Sequence, residues 1–460
     1  MLLTWKHGAG MGALVCTWCA VSVYSNNNML AFASVGILYF SGLLPTTIVP
    51  PFFAFMYTAY CSRSIGGRYL RHMIHPSTSV PHSNFRNGCR LIPAPPGNVD
   101  HFSCFLEACR NSGSHHYDNS ILVVPTPIFA DNYSYLLFSP ATKLVAAVDP
   151  ADPKAILQMI AFVSRQSNTD FMLSDVLCTH KHWDHAGGNE ELLRLSSLKQ
   201  QADERHQPLD PATAAMMKFV SAGLKIIGSR TDEPVGTNVW VSEADLAHGG
   251  TAKPILVAGG SIPVRCIRSP GHTRGSLMFL AGAPISVCRV EDSAALFTGD
   301  CVFCGGCGAM FEVQNVNDVL TTYDAFHNDF LVSSDPYTGA TINAKNVHVY
   351  VGHEYSEKLY SELYETSQTM KWKQEPQKVV AAEYERVKTL RKLKKRIIDG
   401  EEEIALPLCT VPSSLLIERL ANPLLSVKRS ALVELRRKEE RNSSVSTTDI
   451  EKVIYTSTAR

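Results

Sequence analysis

Short apolar runs separated by turn residues begin at Ile121 and recur as far as Val351. Ile121 to Val124, Tyr133 to Phe138 and Leu144 to Val148 are rich in β-branched and aromatic residues and predict three strands. Pro153 to Arg165 changes to a helical pattern, with Asp152 placed to cap its first turn. Phe171 to Cys178 fits a buried strand, and it delivers the chain directly to a cluster of histidines. A longer, more polar stretch follows at about 191–223, an insertion in which Ala212 to Ala222 predicts a helix. Strand patterns resume at Leu224 to Ile227, Ile262 to Ile267, Ser276 to Leu280, Ala294 to Phe297 and Val347 to Val351. From Glu357 to Ile398 the period is helical, with Pro376 expected to interrupt it. Strands that follow strands, with helices interspersed, predict an α/β sandwich rather than a doubly wound sheet.

The ends of the chain read differently. Residues 1–60 carry one formal charge, Lys6, and Met29 to Val49 is a run of 21 uncharged residues, long enough to span a bilayer as a helix. Arg63, Arg68 and Arg71 follow, and the first carboxylate is Asp100. This pattern predicts a hydrophobic membrane-anchor or targeting region at 1–60, with membrane association through the N-terminus and the remainder facing the cytosol or the mitochondrial matrix. Pro45, Pro50 and Pro51 argue against a straight single span. Residues 61–118 are polar and aperiodic and read as a linker; 119–356 form the patterned domain, 357–440 a C-terminal helical domain and 441–460 a polar tail.

Composition narrows the field further. Basic and acidic residues balance at 43 each, which excludes a global nucleic-acid footprint. Thirteen cysteines, an odd number without regular spacing, predict reduced thiols rather than a disulfide framework. Cys301, Cys304 and Cys307 have the spacing of a cluster knuckle, but a structural role is the simpler reading.

The chemistry concentrates in Thr179-His180-Lys181-His182-Trp183-Asp184-His185. Three histidines and an aspartate within six residues offer the imidazole and carboxylate ligands that divalent metals take. In a loop at a strand's end alternate residues project the same way, so His180 and His182 can share one ion while Asp184 and His185 turn toward another. His272, Asp300 and His353 also follow apolar runs, so all seven can converge on one edge of a sheet.

Thr179 to Asn189, Pro270 to Thr273, Thr298 to Asp300, Gly305 to Gly308 with Glu312, and Gly352 to Tyr355 together resemble the metallo-β-lactamase superfamily, within it the glyoxalase II (hydroxyacylglutathione hydrolase) branch. Pro125 to Pro153 carries further likeness, and most of 121–440 is covered. The resemblance implies an αββα sandwich with a C-terminal helical extension. It implies two divalent ions, zinc first with iron or manganese as alternatives. His180, His182 and His272 would hold one ion and Asp184, His185 and His353 the other, with Asp300 between. Asp184, His185 and Asp300 would serve catalysis, in which a metal-bridging hydroxide attacks a thioester of the S-D-lactoylglutathione type. Tyr355 and the basic cluster Arg436-Arg437-Lys438 would hold the glutathione.

Two positions depart from that branch. Ala309 stands where it usually has Lys or Arg, and Phe311 where it commonly has Tyr. The basic run Arg386 to Arg396 reads as the solvated face of an amphipathic helix. Two other functions compete with the thioesterase: a mono-iron oxidoreductase resembling the persulfide dioxygenases, and a membrane-tethered, non-catalytic interaction protein.

Overall fold

Alternation along the strands decides the architecture. In a computed structural model, β2 (Ile121–Ile128) and β3 (Asn132–Ser139) send Ile121, Val123, Tyr135 and Leu137 to one core and Leu122, Val124, Leu136 and Phe138 to another. A strand buried on both faces needs apolar residues at nearly every position, which explains their continuous rather than alternating pattern. The structure describes residues 89–92, 100–110, 120–129, 131–205, 211–242, 246, 254–282, 293–329, 344–370, 372–398, 409–441 and 445–456.

The first sheet runs in spatial order from β1 (Arg90–Ile92) through β2, β3, β4 (Leu144–Val148), β5 (Met172–Leu177) and β6 (Val220–Ser229) to β7 (Val239–Val241). β1 to β4 pair antiparallel, and β4 to β7 pair parallel. The parallel pairs β4–β5 and β5–β6 are joined by crossovers that contain the helices Pro153–Ser167 and Asn189–Arg205. Asp152 caps the first of these as predicted, accepting from the backbone N–H groups of Lys154 and Ala155. The second sheet contains β8 (Ile255–Val257), β9 (Ile262–Arg268), β10 (Leu277–Ala281), β11 (Ala294–Gly299), β14 (Val347–Val351) and β15 (Ser413–Ser414), in spatial order β15-β14-β11-β10-β9-β8, while β12 (Val302–Phe303) and β13 (Gly306–Cys307) form a two-stranded sheet of their own. The inner faces of the two sheets share one core, in which Tyr135 of the first packs on Phe297 and Tyr350 of the second at 5.3 and 5.1 Å. This is an αββα sandwich with C-terminal helices.

Three extents differ from the sequence reading. β1 extends the first sheet, and the helix His101–Arg110 buries Phe102, Phe105 and Leu106 on its outer face, so part of the expected linker belongs to the sandwich. Phe105 stacks on Phe171 at 5.9 Å and meets Phe138 edge-on at 6.2 Å. An amphipathic ten-residue helix isolated among polar residues carries too weak a periodic signal to be read alone. As expected, the helical stretch breaks beside Pro376: Ser356–Thr369 and Gln374–Ile398 are separate helices, and Pro376 lies in the first turn of the second, where its missing N–H costs nothing. The insertion is largely the helix Asn189–Arg205, which crosses over to β6. The supposed polar tail includes the helix Thr447–Thr456, with Ile450 and Ile454 buried.

The expectation of a membrane-associated chain is corrected. Among the described residues no helix is long and apolar enough to cross a membrane. The longest, Gln374–Ile398, has 25 residues but carries Glu, Lys and Arg throughout, and buried charges are not tolerated in hydrocarbon. The run 29–49 that prompted the expectation lies outside the described residues.

The C-terminal helices Leu415–Ala421, Pro423–Ser426 and Arg429–Glu440 share the inter-sheet core through Leu415, Leu424, Leu425, Leu432 and Leu435. Glu418 is the polar pin. Fully buried, it accepts from Ser413 Oγ at 2.6 Å, Gly305 N–H at 3.0 Å, and Tyr360 O–H and Asn422 Nδ2 at 3.1 Å each. Burial raises its pKa above the ordinary 4.5, against the opposing hydrogen bonds. The folded chain then keeps this proton to higher pH than the unfolded chain, so stability falls as pH rises through 4.5 and upward. Measured against Glu418→Gln by denaturant unfolding, wild-type stability should decline from pH 4 to pH 7. Glu418→Ala should cost about 3–5 kcal/mol, since four donors lose their acceptor.

Candidate metal centre

Direction within the sheets gathers the site. β4, β5 and β6 run parallel, and β9, β11 and β14 share a direction because β10 is antiparallel to both β9 and β11 while β11 and β14 are parallel. His180 to His185 follow β5, His272 follows β9, Asp300 follows β11 and His353 follows β14, each at the carboxyl end of its strand. Backbone bonds zip the two sheets together there. Leu277 N–H donates to Thr179 O at 2.8 Å, Tyr133 N–H to Gly352 O at 2.8 Å and Glu354 N–H to Asp131 O at 2.7 Å.

Two groups of ligating atoms result, with a third, Asp149, His180 and His185, overlapping both. His180, His182 and His272 form one, with Nε2 of His180 and of His272 each 2.9 Å from Nδ1 of His182. Asp184, His185 and His353 form the other; Asp184 Oδ2 is 3.3 Å from His353 Nε2 and 3.7 Å from His185 Nε2. Asp300 touches both, with Oδ1 3.2 Å from His185 Nε2 and Oδ2 3.4 Å from His272 Nε2 and 3.3 Å from His353 Nε2. All seven are buried. His185 Nε2 and Asp300 Oδ1 are buried atoms with no hydrogen-bond partner, and they face each other. Orphaned atoms of a ligand-forming pair are what a cation between them would satisfy, so the residues present fit divalent metal.

A second layer fixes four of the imidazoles. Thr179 Oγ1 donates to Asp149 Oδ2 at 2.6 Å and so accepts from His180 Nδ1 at 3.0 Å, which leaves His180 Nε2 free to ligate. Asp149 Oδ2 also meets His185 Nδ1 at 2.9 Å, and Oδ1 accepts from Thr179 N–H at 2.7 Å. Asp149 adopts a left-handed backbone, φ 50°, which aspartate tolerates at such sites. His272 Nδ1 faces Ala309 O at 2.9 Å, and His353 Nδ1 faces Asp131 at 3.2 Å. Asn132 Nδ2 donates to Asp184 Oδ2 at 3.0 Å. These partners were visible in the sequence as Asp131-Asn132 and Asp149-Pro150, but nothing local told their roles. Asp149→Asn should weaken metal binding about 10–100-fold while leaving the fold intact, measured by competition with a chromogenic chelator.

Electrostatics separates the two groups. Burial holds the pKa of His180 and His272 below its ordinary value and pushes His182 to about 3, keeping all three neutral, the ligating form. Burial opposes the charge on His185 as well, but Asp300, Asp184 and Asp149 outweigh it and lift His185 to about 10. Asp300, with Asp131 and Asp184, likewise raises His353. Burial opposes ionisation of Asp184 and Asp300, yet His185 and His353 hold both below the usual carboxylate range. Three buried carboxylates thus attract cations into a water-poor site.

Around the ligands, Lys181 pairs with Glu312 at 2.7 Å, and its N–H donates to Asp232, which also accepts from Thr273 Oγ1 and Gly275 N–H. This ties the histidine loop to the loops bearing His272 and Phe311. Phe311 is 57% exposed, with its ring 5.3 Å from His272 and 6.3 Å from His182. Tyr355 stacks on His353 at 4.9 Å and 8°. Of the expected substrate cations, Arg436 pairs with Glu440 at 3.3 Å and Arg437 with Glu434 at 3.7 Å on their own helix, and Lys438 is exposed. Arg391, from the run read as a solvated helix face, and Lys358 wall a cavity that Tyr355 also lines.

The family model described as the metallo-beta-lactamase superfamily matches residues 146–261. A hydroxyacylglutathione hydrolase-like protein of Gallus gallus is 29% identical over 315 residues, covering 68% of this chain and 83% of the relative. A hydroxyacylglutathione hydrolase of Dictyostelium discoideum is 26% identical over 321 residues, covering 70% and 92%. A solved metallo-beta-lactamase from Staphylococcus aureus aligns over 71% of this chain and 68% of its own with 14% identity and a TM-score of 0.34. With the donor set described, the chain is a metal-dependent hydrolase carrying a metallo-beta-lactamase superfamily domain. Within that superfamily, its relatives support the glyoxalase II branch.

Proposed function

We propose that the chain hydrolyses thioesters of the hydroxyacylglutathione type with two divalent ions, zinc foremost. The observation that carries this reading is the pair of three-residue ligand groups sharing Asp300 at one sandwich edge. Names of relatives at 26–29% identity supply the substrate class. His180, His182 and His272 would hold one ion and Asp184, His185 and His353 the second, with Asp300 facing both. Such ions, when bound, supply a polarising charge for a carbonyl and an acidified water near neutral pH.

The chain's own residues do the rest. Asp149 and Asp131 orient His185 and His353, and Asn132 holds Asp184, so little rearrangement accompanies reaction. Phe311 and Tyr355 set aromatic rings against His272 and His353, apolar surface on which the substrate can rest. The leaving thiolate belongs to an acid of pKa about 8.5, so the site needs no strong general acid beside it. Two three-residue groups that share Asp300 favour this over a mono-iron oxidoreductase, which needs only one. Elemental analysis of chain purified without added metal should find two divalent ions, and S-D-lactoylglutathione should be hydrolysed. One iron with no second metal, or two metals without thioester turnover, would sink the proposal. Ala309→Lys should lower KM on the order of tenfold by adding a charge-assisted bond.

A further inference from the structure

Beside Tyr355 lies a cavity of about 440 Å³ walled by Glu354, Glu357, Lys358, Glu362 and Arg391, none of which belongs to the metal groups. Its wall holds an unsatisfied carboxylate oxygen. Glu354 Oε2 accepts from Tyr133 O–H, from Thr410 N–H at 3.1 Å and from Thr410 Oγ1 at 2.6 Å. Glu354 Oε1 accepts no hydrogen bond, although the side chain is 9% exposed. Arg391 does not relieve it: its Nη2 stands 3.6 Å away, and its Nε, 3.3 Å from Glu357 Oε2, is itself buried without a hydrogen bond. A buried carboxylate oxygen without a donor and a guanidinium N–H without an acceptor therefore meet at one cavity, misaligned with each other, which is costly unless a third group completes both.

We propose that this cavity is a subsite for a zwitterionic α-amino-acid group, carried on the thiol half of the substrate; the assignment rests on the glutathione-thioester reading above. The ammonium takes Glu354 Oε1 and Glu357, and the carboxylate takes Arg391 and Lys358. Charge selects the occupant. Three glutamates face two cations, so a simple anion meets net repulsion, whereas a zwitterion pairs both of its charges. A volume of about 440 Å³ suits a group of amino-acid size, within the roughly 300–1,000 Å³ of small-molecule sites. Position fits as well. Tyr355 lines the cavity and stacks on His353 at 4.9 Å, so one aromatic ring links the subsite to the ligand groups. A γ-glutamyl arm, about two extended residues or roughly 7 Å long, covers such a span. The subsite would replace grip that the chain lacks at Ala309 and Phe311.

Equilibrium binding of S-methylglutathione, a thioether that cannot be hydrolysed, to the metal-loaded full chain tests this against its desamino analogue, in which a glutaryl group replaces γ-glutamyl. The desamino compound should bind about tenfold or more weakly. Arg391→Ala should weaken S-methylglutathione by a similar factor, and Arg391→Lys should recover part of the loss. Glu357 is 60% exposed, so Glu357→Gln threatens folding little and should also weaken the amino compound selectively. Equal affinity for the two ligands, no binding of S-methylglutathione, or an unchanged affinity in both Arg391→Ala and Glu357→Gln overturns the subsite. If Arg391→Ala fails to fold, Glu357→Gln decides. Hydrolysis of S-D-lactoylglutathione by the wild type, run in parallel, separates the two ideas: turnover without amino discrimination removes the subsite alone, and discrimination without turnover removes the hydrolase reading alone.

Discussion

Asp300→Ala is expected to strip both metals from the chain. Its two oxygens face different groups, Oδ1 toward His185 at 3.2 Å and Oδ2 toward His272 and His353 at 3.4 and 3.3 Å. It is a carboxylate in contact with both ligand groups. Losing an outer-layer partner of a ligand typically costs 10–100-fold in affinity, and losing a shared inner ligand should cost more than 100-fold. Elemental analysis after gel filtration should fall from two ions per chain to well below one, and thioester turnover should fall by at least about 10²-fold. Asp300→Asn keeps the shape but removes the charge, so it should retain more structure than metal. Two tightly held ions in the alanine variant would show that Asp300 is not shared between them.

Gly352→Ala should produce a comparable loss without touching a ligand. A methyl group at residue 352 would stand 2.1 Å from Asp300 Oδ1 and 2.9 Å from His185 Cε1. The backbone cannot step aside, because Gly352 N–H donates to Gly299 O at 2.9 Å and its carbonyl accepts from Tyr133 N–H at 2.8 Å. The Asp300 carboxylate must swing away, and both groups open with it. Wild-type protein at a metal concentration about 100 times Kd should gain about 2.7 kcal/mol of stability. The variant should gain almost nothing under the same conditions, with its circular dichroism preserved. Equal metal-dependent stabilisation of the two proteins would show that the backbone at 352 yields.

Both expectations turn on contacts between distant parts of the chain, and legibility divides along the same line. The histidine loop could be read because its chemistry is local: His180, His182, Asp184 and His185 lie within one short segment after a strand. His272, Asp300 and His353 could be placed beside it because each follows an apolar run, and strand ends share an edge. The cations for substrate are less legible for the opposite reason. Arg436 and Arg437 read as part of a basic cluster, and only the fold shows them paired with Glu440 and Glu434, about one helical turn away.

Residue types and their spacing by themselves determined the donor set, the strand-rich core and the metal chemistry, since these depend on what side chains can do and on periods of two and 3.6 residues. Tertiary structure alone decided which imidazole nitrogen faces the metal, because Asp149, Asp131 and the Ala309 carbonyl reach their histidines from 36, 222 and 37 residues away. It alone brought the helices His101–Arg110 and Thr447–Thr456 into the cores, where buried apolar faces rather than composition set membership. It also left Glu354 Oε1 without a donor beside Arg391. Such a group is visible only after the fold has assigned every other donor, since pairing across the chain follows from packing and has no period in the sequence.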